Sequence, residues 1–282
     1  MKTKTKIVLA VAISGIIVGG AISFAMFGSY NAKLPNGDDK FAFVRKTHNV
    51  QVGDIVAYRY PLEYDKKMSS RDVYISRVVA VPGDIVLIDD GVLYRNNEEV
   101  KEEYPISVEC RVSVDSVANV DYKTILSKYD VRIVGIINEG KACEFVCTRD
   151  VFEEIESAEK NTFSACRMII DRDDWKDVNV FPTSPFFAWN KDNYGPIYMP
   201  VVGDTLNLHP RIAPIYKNII SLFEGSDFQS DTYHVRINQQ EAHEYIVTKN
   251  YYFILNDDRT MLRDSRMYGP IPDEYIIGKV IN

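Results

Sequence analysis

Residues 74–84 read YISRVVAVPGD. The β-branched Ile75, Val78, Val79 and Val81 suit a pleated, half-buried surface. Pro82 presets one backbone angle, Gly83 admits a left-handed one, and Asp84 can bond back to its own turn. The stretch therefore predicts a strand running into a tight turn, and the same grammar extends on both sides. VQVGDIVAYRYP (50–61) has a Gly-Asp turn feeding an alternating strand. DVYISRVVAVPGDIVLIDDGVLYRNNEEV (72–100) reads as strand, turn, strand, Asp-Asp-Gly turn, strand, a β-meander.

Further out, GSYNAKLPNGDDK (28–40) reads as irregular chain ahead of a short apolar run, FAFV (41–44). The middle of the chain changes character. RDVFEEIESAEK (149–160) has Asp150 with Glu153 three later, a capping start for a short helix. Strand-like DVRIVGII and FSACRMIID flank it, which predicts an inserted α+β domain over 100–180 between β-rich parts 28–99 and 181–282. PFFAWNKDNYGPIYMPVVGDTLNL (185–208) returns to β. IYKNIISLFEG (215–225) has helical spacing closed by Gly225, and 231–255 reads as a hairpin-like pair of strands. Trp189 and Tyr194 are read as core packing or an interface with the inserted domain, ahead of a surface for extended peptide. The charged run NNEEVKEE (96–103) is read as a solvated turn and edge.

Composition narrows the function classes. Of 282 residues, 46% are hydrophobic, and 18 Tyr and 13 Phe favour strands. The net charge is −7, and three of the lysines stand in the first six residues, so the body is more acidic still. Nucleic-acid binding, which needs a basic surface, is excluded. Residues 7–27, IVLAVAISGIIVGGAISFAMF, carry no charge over 21 residues. As a helix that is roughly 30 Å, the thickness of a bilayer core. The reading is a retained single-pass anchor in the cytoplasmic membrane. The basic flank 1–6 stays inside and everything after about Gly28 lies outside. Gly15 and Gly19 form a small-residue face through which the anchor could meet a partner helix or a second copy.

The cysteines are Cys110, Cys143, Cys147 and Cys166. With no CxxC pair and no histidine at ligand spacing, they predict no metal site, and no cofactor is predicted. Four free thiols or any of three disulfide pairings remain open; Cys143 and Cys147 would share one side if their segment were helical. His48, His209, His234 and His243 show no relay spacing.

In order along the chain, the anchor, VGDIVAYRYP (52–61), SRVVAVPGDIV (76–86), WNKDNYGPIYMPVVGD (189–204) and NDDRTMLRDSRMYGPIP (256–272) resemble the type I signal peptidases, in their long form with a large inserted domain. The resemblance implies a mainly β fold of coiled antiparallel sheets with an α+β insertion and one N-terminal transmembrane helix. It also implies a serine nucleophile with a lysine base, the lysine kept neutral by desolvation and held by a second serine. The framework positions match: Pro35, Arg77, Pro82, Gly83, Asp84, Asp257, Arg259, Asp264, Ser265, Arg266 and Gly269. The chemical ones do not. The nucleophile position, three before Pro35, is Ala32; the lysine position, before Arg77, is Ser76; the lysine-orienting serine position is Leu262. Lys66 and Lys67 belong to the preceding loop.

Serine has no basic lone pair near neutral pH, so Ser76 is read as a small strand filler. The expectation is a signal-peptidase relative that handles signal peptides of exported proteins without cutting them, as a peptide-binding subunit or a partner of an active signal peptidase. Two alternatives stand beside it. One is an active serine endopeptidase with a rearranged site, Ser29 as nucleophile and Lys33, Lys40 or His48 as base. The other is a purely structural envelope protein. Were the resemblance accidental, Ser76 would face solvent, and Asp264 and Arg266 would form an ordinary surface pair.

Overall fold

The turn read at 81–84 occurs three times in the computed structural model, which describes residues 26–47, 49–116 and 120–281. In the turns 51–54, 81–84 and 201–204 the closing Asp carboxylate accepts from the first residue's backbone N–H, at 2.7, 3.0 and 2.8 Å. The Asp N–H donates in return to the first residue's carbonyl, at 3.2, 3.0 and 3.0 Å. The third residue is Gly53, Gly83 or Gly203, with φ of +91°, +95° and +92°. That backbone region carries a steric penalty for any side chain, so glycine stands there each time. Each turn launches a strand.

The strands in chain order are β1 (Phe27–Lys33), β2 (Asp39–Lys46), β3 (Ile55–Arg59), β4 (Val73–Ala80), β5 (Ile85–Asp89), β6 (Val92–Arg95), β7 (Glu98–Glu99), β8 (Ser107–Ser113), β9 (Arg132–Ile137), β10 (Ala142–Thr148), β11 (Ala165–Met168), β12 (Tyr194–Tyr198), β13 (Thr205–Asn207), β14 (Phe228–Ser230), β15 (Val235–Ile237), β16 (Gln240–Glu241), β17 (Glu244–Ile246), β18 (Tyr251–Leu255), β19 (Ile271–Pro272) and β20 (Ile276–Val280). The α-helices among the described residues are short: α1 (Tyr122–Leu126), α2 (Arg149–Ala158) and α3 (Ser265–Tyr268). The described chain is mainly β, as the sequence leads one to expect. It divides into two compact units, Met1–Val78 with Asp273–Asn282, and Val79–Pro272.

In the first unit the strands close on themselves in the order β1-β2-β20-β3-β4 and back to β1. The closing pair is parallel, Ala32 beside Val73 and Lys33 beside Tyr74. A ring of so few strands has a narrow interior. Ala32, Ala42 and Ala57 fill it with Val44, Val73 and Ile75, and Tyr30 and Leu34 pack against them. Residues 27–33 are thus strand where the sequence suggests irregular chain. The reason is a β1–β2 hairpin around Pro35, Asn36 and Gly37, in which only Tyr30 and Ala32 need to be apolar and inward.

The second unit holds the sheets β11-β8-β10-β9 and β12-β5-β6-β7, with smaller pieces β13-β17 and β14-β15-β16. The β8–β11 sheet buries one face with α1 and α2 around Phe145, Phe152 and Ile155. Three local expectations change here. The N-cap of α2 is Thr148, whose hydroxyl accepts from Val151 N–H, and Asp150 becomes a first-turn acid. Cys143 and Cys147 lie on strand β10, not on a helix. Residues 213–223 form a 3-10 turn, Ala213–Tyr216, and a π-helical turn, Ile219–Phe223, in place of one α-helix. A separate core gathers Val79, Val86, Ile88, Tyr194, Ile197, Met199, Phe253 and Leu255. Trp189 packs against it and its ring lies 4.6 Å from that of Tyr194, which is the core role read from the sequence.

Two measurements test these cores. Ala42→Leu overfills the ring and is expected to cost about 1–3 kcal/mol in urea unfolding; an unchanged midpoint would mean that the interior is not closed. Glu159 accepts from Thr162 Oγ1 at 2.9 Å, Lys128 Nζ at 3.1 Å and Tyr129 Oη at 3.1 Å. The Thr162 hydroxyl and then the Lys128 ammonium hold its carboxyl below the ordinary 4.5. A depressed carboxyl stabilises above its unfolded value and loses that contribution as pH falls through the folded one. Glu159→Gln is therefore expected to lower the Tm at pH 7, with the gap to wild type closing below about pH 4.5. A gap independent of pH would remove the ionic role.

Candidate functional site

The C-terminal loop is built around a buried ion pair. Asp264 and Arg266 are 0% and 1% exposed. Asp264 caps α3, its Oδ1 accepting from Arg266 N–H at 3.0 Å. The Arg266 guanidinium returns to the same carboxylate, Nε to Oδ1 at 3.0 Å and Nη2 to Oδ2 at 2.8 Å. Its remaining N–H groups donate to the carbonyls of Lys191, Arg259 and Met261 at 3.2, 2.9 and 2.9 Å. Burial works against the charge of Arg266, and the Asp264 carboxylate outweighs it, so its pKa lies above the ordinary arginine value.

Other framework positions join this network. Asn256 N–H donates to Asp264 Oδ2 at 3.1 Å, and Ile254 N–H donates to Ser265 Oγ at 3.0 Å, which ties the loop to β18. Gly269 ends α3 at φ +79°, and a Cβ there would meet the Phe181 ring at 3.0 Å. Arg259 donates Nη1 to Asn256 O at 3.1 Å and pairs with Glu102. The Asp257 carbonyl accepts from Ser107 N–H at 2.9 Å. Asp84 closes the turn of Pro82 and Gly83 and accepts from Asn96 Nδ2 at 2.8 Å.

Sequence reasoning missed several members. Glu102 stands in the run read as solvated, yet its side chain is 4% exposed and it pairs with both Arg259 and Arg149. Asn256 is buried and donates Nδ2 to the Met261 carbonyl at 3.0 Å. Lys191 is held by Asp171 Oδ2 at 3.2 Å and Asp192 Oδ2 at 2.5 Å. Burial lowers its pKa and those two carboxylates more than restore it, so the amine stays charged and is no general base. The signal available for Glu102 was its place between Val100 and Tyr104, both of which pack against apolar cores, which charge counting alone passes over.

The three chemical positions are placed quite differently. Ala32 is fully buried inside the ring of the first unit. Ser76 follows inward-facing Ile75 on β4, so it lies on the outer side of the wall. It is 5% exposed and hydrogen-bonded to Tyr58 Oη at 3.3 Å, more than a filler, since the two hydroxyls satisfy each other in a buried place. From the Ala32–Val73 pairing, Ser76 is three residues further along, about 10 Å, and on the opposite face. Leu262, in the second unit, packs against the core of Phe253 and Leu255. Arg77 donates Nη1 to the Gly53 carbonyl at 2.8 Å, and Pro35 sits in the β1–β2 turn.

Ser29 is exposed on the outer face of β1, opposite Phe43. Lys33 shares that face but stands four residues away, roughly 13 Å along the strand. Its ammonium pairs with Asp72 Oδ2 at 2.7 Å, and that hydrogen bond holds its pKa above the ordinary value, the wrong direction for a base. Lys40 lies opposite Ala32, on the other face of the hairpin from Ser29. His48, with Gly15, Gly19 and the apolar segment up to residue 25, lies outside the described residues. Among the described residues no helix is long and apolar enough to cross a membrane.

A mainly β chain with few helices is consistent with a signal-peptidase-like fold. The chain belongs to the signal peptidase family, peptidase S26, whose sequence profile matches residues 1–141 and 204–282. A stretch of 58 residues is 36% identical to the probable signal peptidase I-1 of Synechocystis sp. (strain ATCC 27184 / PCC 6803 / Kazusa), covering 20% of this chain and 30% of that relative. At the level of the family this membership supports a part in signal-peptide processing.

Arg266→Ala would leave Asp264 as an uncompensated buried charge. It is expected to cost about 3–5 kcal/mol in urea unfolding. Arg77→Ala, which removes the exposed hydrogen bond to the Gly53 carbonyl, is expected to cost about 1 kcal/mol. Equal costs would overturn the central place given to the buried pair.

Proposed function

We propose that this protein is a membrane-anchored member of the signal peptidase family that holds signal segments of exported proteins without cleaving them. One observation carries the reading: the loop framework around Asp264 and Arg266 is intact, while the nucleophile, base and orienting positions carry Ala32, Ser76 and Leu262. An alanine methyl offers no nucleophile, and a serine hydroxyl bonded to a tyrosine offers no base. The lysines nearest Ser29 in the hairpin do not replace them, one being paired with a carboxylate and the other on the opposite face.

The retained apolar surface supports a binding role. Phe43 stacks on Phe27 with ring centroids 5.6 Å apart, and Phe41 beside them is 65% exposed. This outer face of the β1–β2 hairpin begins where the uncharged segment 7–27 ends, a place for an apolar signal segment at the membrane surface. An active signal peptidase, or a second copy reached through Gly15 and Gly19, is the partner this role calls for.

The test uses the full-length protein in detergent and a preprotein with an Ala-x-Ala site. No cleavage is expected, together with photo-crosslinking of the signal segment to the hairpin that is lost in Phe41→Asp/Phe43→Asp. Cleavage abolished by Ser29→Ala would overturn the reading in favour of a rebuilt peptidase. Neither cleavage nor crosslinking would leave the structural envelope role.

A further inference from the structure

The four cysteines, whose pairing the sequence leaves open, meet on one face of one sheet. Directly opposed residues of an antiparallel pair share a face. Cys143 and Cys166 both oppose Val112 of β8, from β10 on one side and β11 on the other. Cys110 opposes Phe145, and Cys147 lies two residues beyond Phe145 on the same strand. All four therefore point toward the core that α1 and α2 cover, where Cys110, Cys143 and Cys147 are buried and Cys166 packs at the margin.

Geometry separates the pairings. Cys143 and Cys166 are two strand spacings apart, roughly 10 Å, and Cys143 and Cys147 are four residues apart on one strand, roughly 13 Å. Neither pair can close, while Cys110 stands diagonal to Cys143, Cys147 and Cys166 alike, so the positions of the sulfurs decide its partner. The Cys143 sulfur is turned to the Glu144 carbonyl at 3.8 Å. The Cys110 and Cys147 sulfurs already touch, at 3.8 Å, across 37 residues of chain. We propose that Cys110 and Cys147 form a disulfide when the chain meets an oxidising dithiol-disulfide partner or a small-molecule disulfide. The side of the membrane on which such oxidants act is the side to which the sequence assigns this domain.

The chemistry balances with that oxidant. Either thiol can donate in this contact; with Cys110 as donor its partner Cys147 is the more acidic and enters first, and the same balance holds with the two exchanged. The Cys147 thiolate attacks one sulfur of the oxidant, breaking its S–S bond and releasing one thiolate. Cys110, losing its proton to that leaving group or to solvent, then attacks the Cys147 sulfur and releases the second thiolate. Two protein thiols are oxidised by two electrons, and one disulfide is reduced to two thiols. Both sulfurs are buried, so exchange proceeds through local opening of the sheet or before it closes. The product would fasten β8 to β10, the two inner strands of the sheet order β11-β8-β10-β9.

The experiment takes the full-length protein in detergent through urea and back in a glutathione buffer with oxidised glutathione in excess. Free thiols are then blocked with iodoacetamide, and unreduced peptides are mapped by mass spectrometry. The expected result is one linked peptide pair through Cys110 and Cys147, with Cys143 and Cys166 alkylated. The Cys143→Ser/Cys166→Ser variant is expected to oxidise equally, and its Tm to fall on the order of 10 °C when the disulfide is reduced. A link from Cys110 to Cys143 or Cys166, or four alkylated thiols in the folded product, would overturn the proposal. Since only thiol mapping and Tm are read, its failure is distinct from any failure of the peptide-binding reading.

Discussion

The Asp264–Arg266 pair constrains the second unit more than any other contact. A guanidinium at 1% exposure is tolerable only when every N–H has an acceptor, and here those acceptors come from its own carboxylate and from the carbonyls of residues 191, 259 and 261. The charge thus fixes the paths of two separate loops at once. The Phe181 N–H adds a third, donating to the Arg266 carbonyl at 2.8 Å. Such a pair adds little net stability over a well-packed apolar substitute, but losing one half is expensive. Its contribution is to specify one arrangement of loops.

Much of this was legible in the sequence, and the reasons differ by element. The Gly-Asp turns were readable because the physics is local: a positive φ demands glycine, and an aspartate one residue later can bond back two or three residues. Strands that follow such turns were readable for the same reason. The ring of the first unit was not. Its closure rests on two residues of β1 beside two of β4, forty-one positions apart, and on three alanines whose only distinction is that they are small. Neither leaves a periodic trace. Residues 27–33 escaped as a strand because their outward positions, Ser29, Asn31 and Lys33, are polar and only Tyr30 and Ala32 face inward.

The site divides along the same line. Asp264, Arg266 and Arg259 were readable as one group because they stand close in the chain, and their hydrogen bonds link them in space. Glu102, Arg149 and Lys191 were not, because their partners are distant in sequence and a charged side chain looks alike whether buried or solvated. Ser76 shows the same limit. Its type excludes a base, but nothing in the sequence says that Tyr58 is there to receive its hydroxyl.

Scaffold and chemistry can part company here because their energetic signs differ. A general-base lysine has to be desolvated and neutral, a state that burial enforces against the preference of an ammonium for water. Ser76 and Tyr58 carry no such strain, because their hydroxyls are hydrogen-bonded to each other at 3.3 Å in a buried place. Ala32 likewise relieves the ring interior of a polar atom, and Leu262 adds apolar packing beside Phe253. Each of these three residues suits folding without the desolvation that a neutral buried lysine requires. Removing Arg266 does the reverse, stranding a carboxylate in the core. Keeping Asp264 and Arg266 together is therefore a demand of shape, and it holds whatever chemistry the rest of the chain carries.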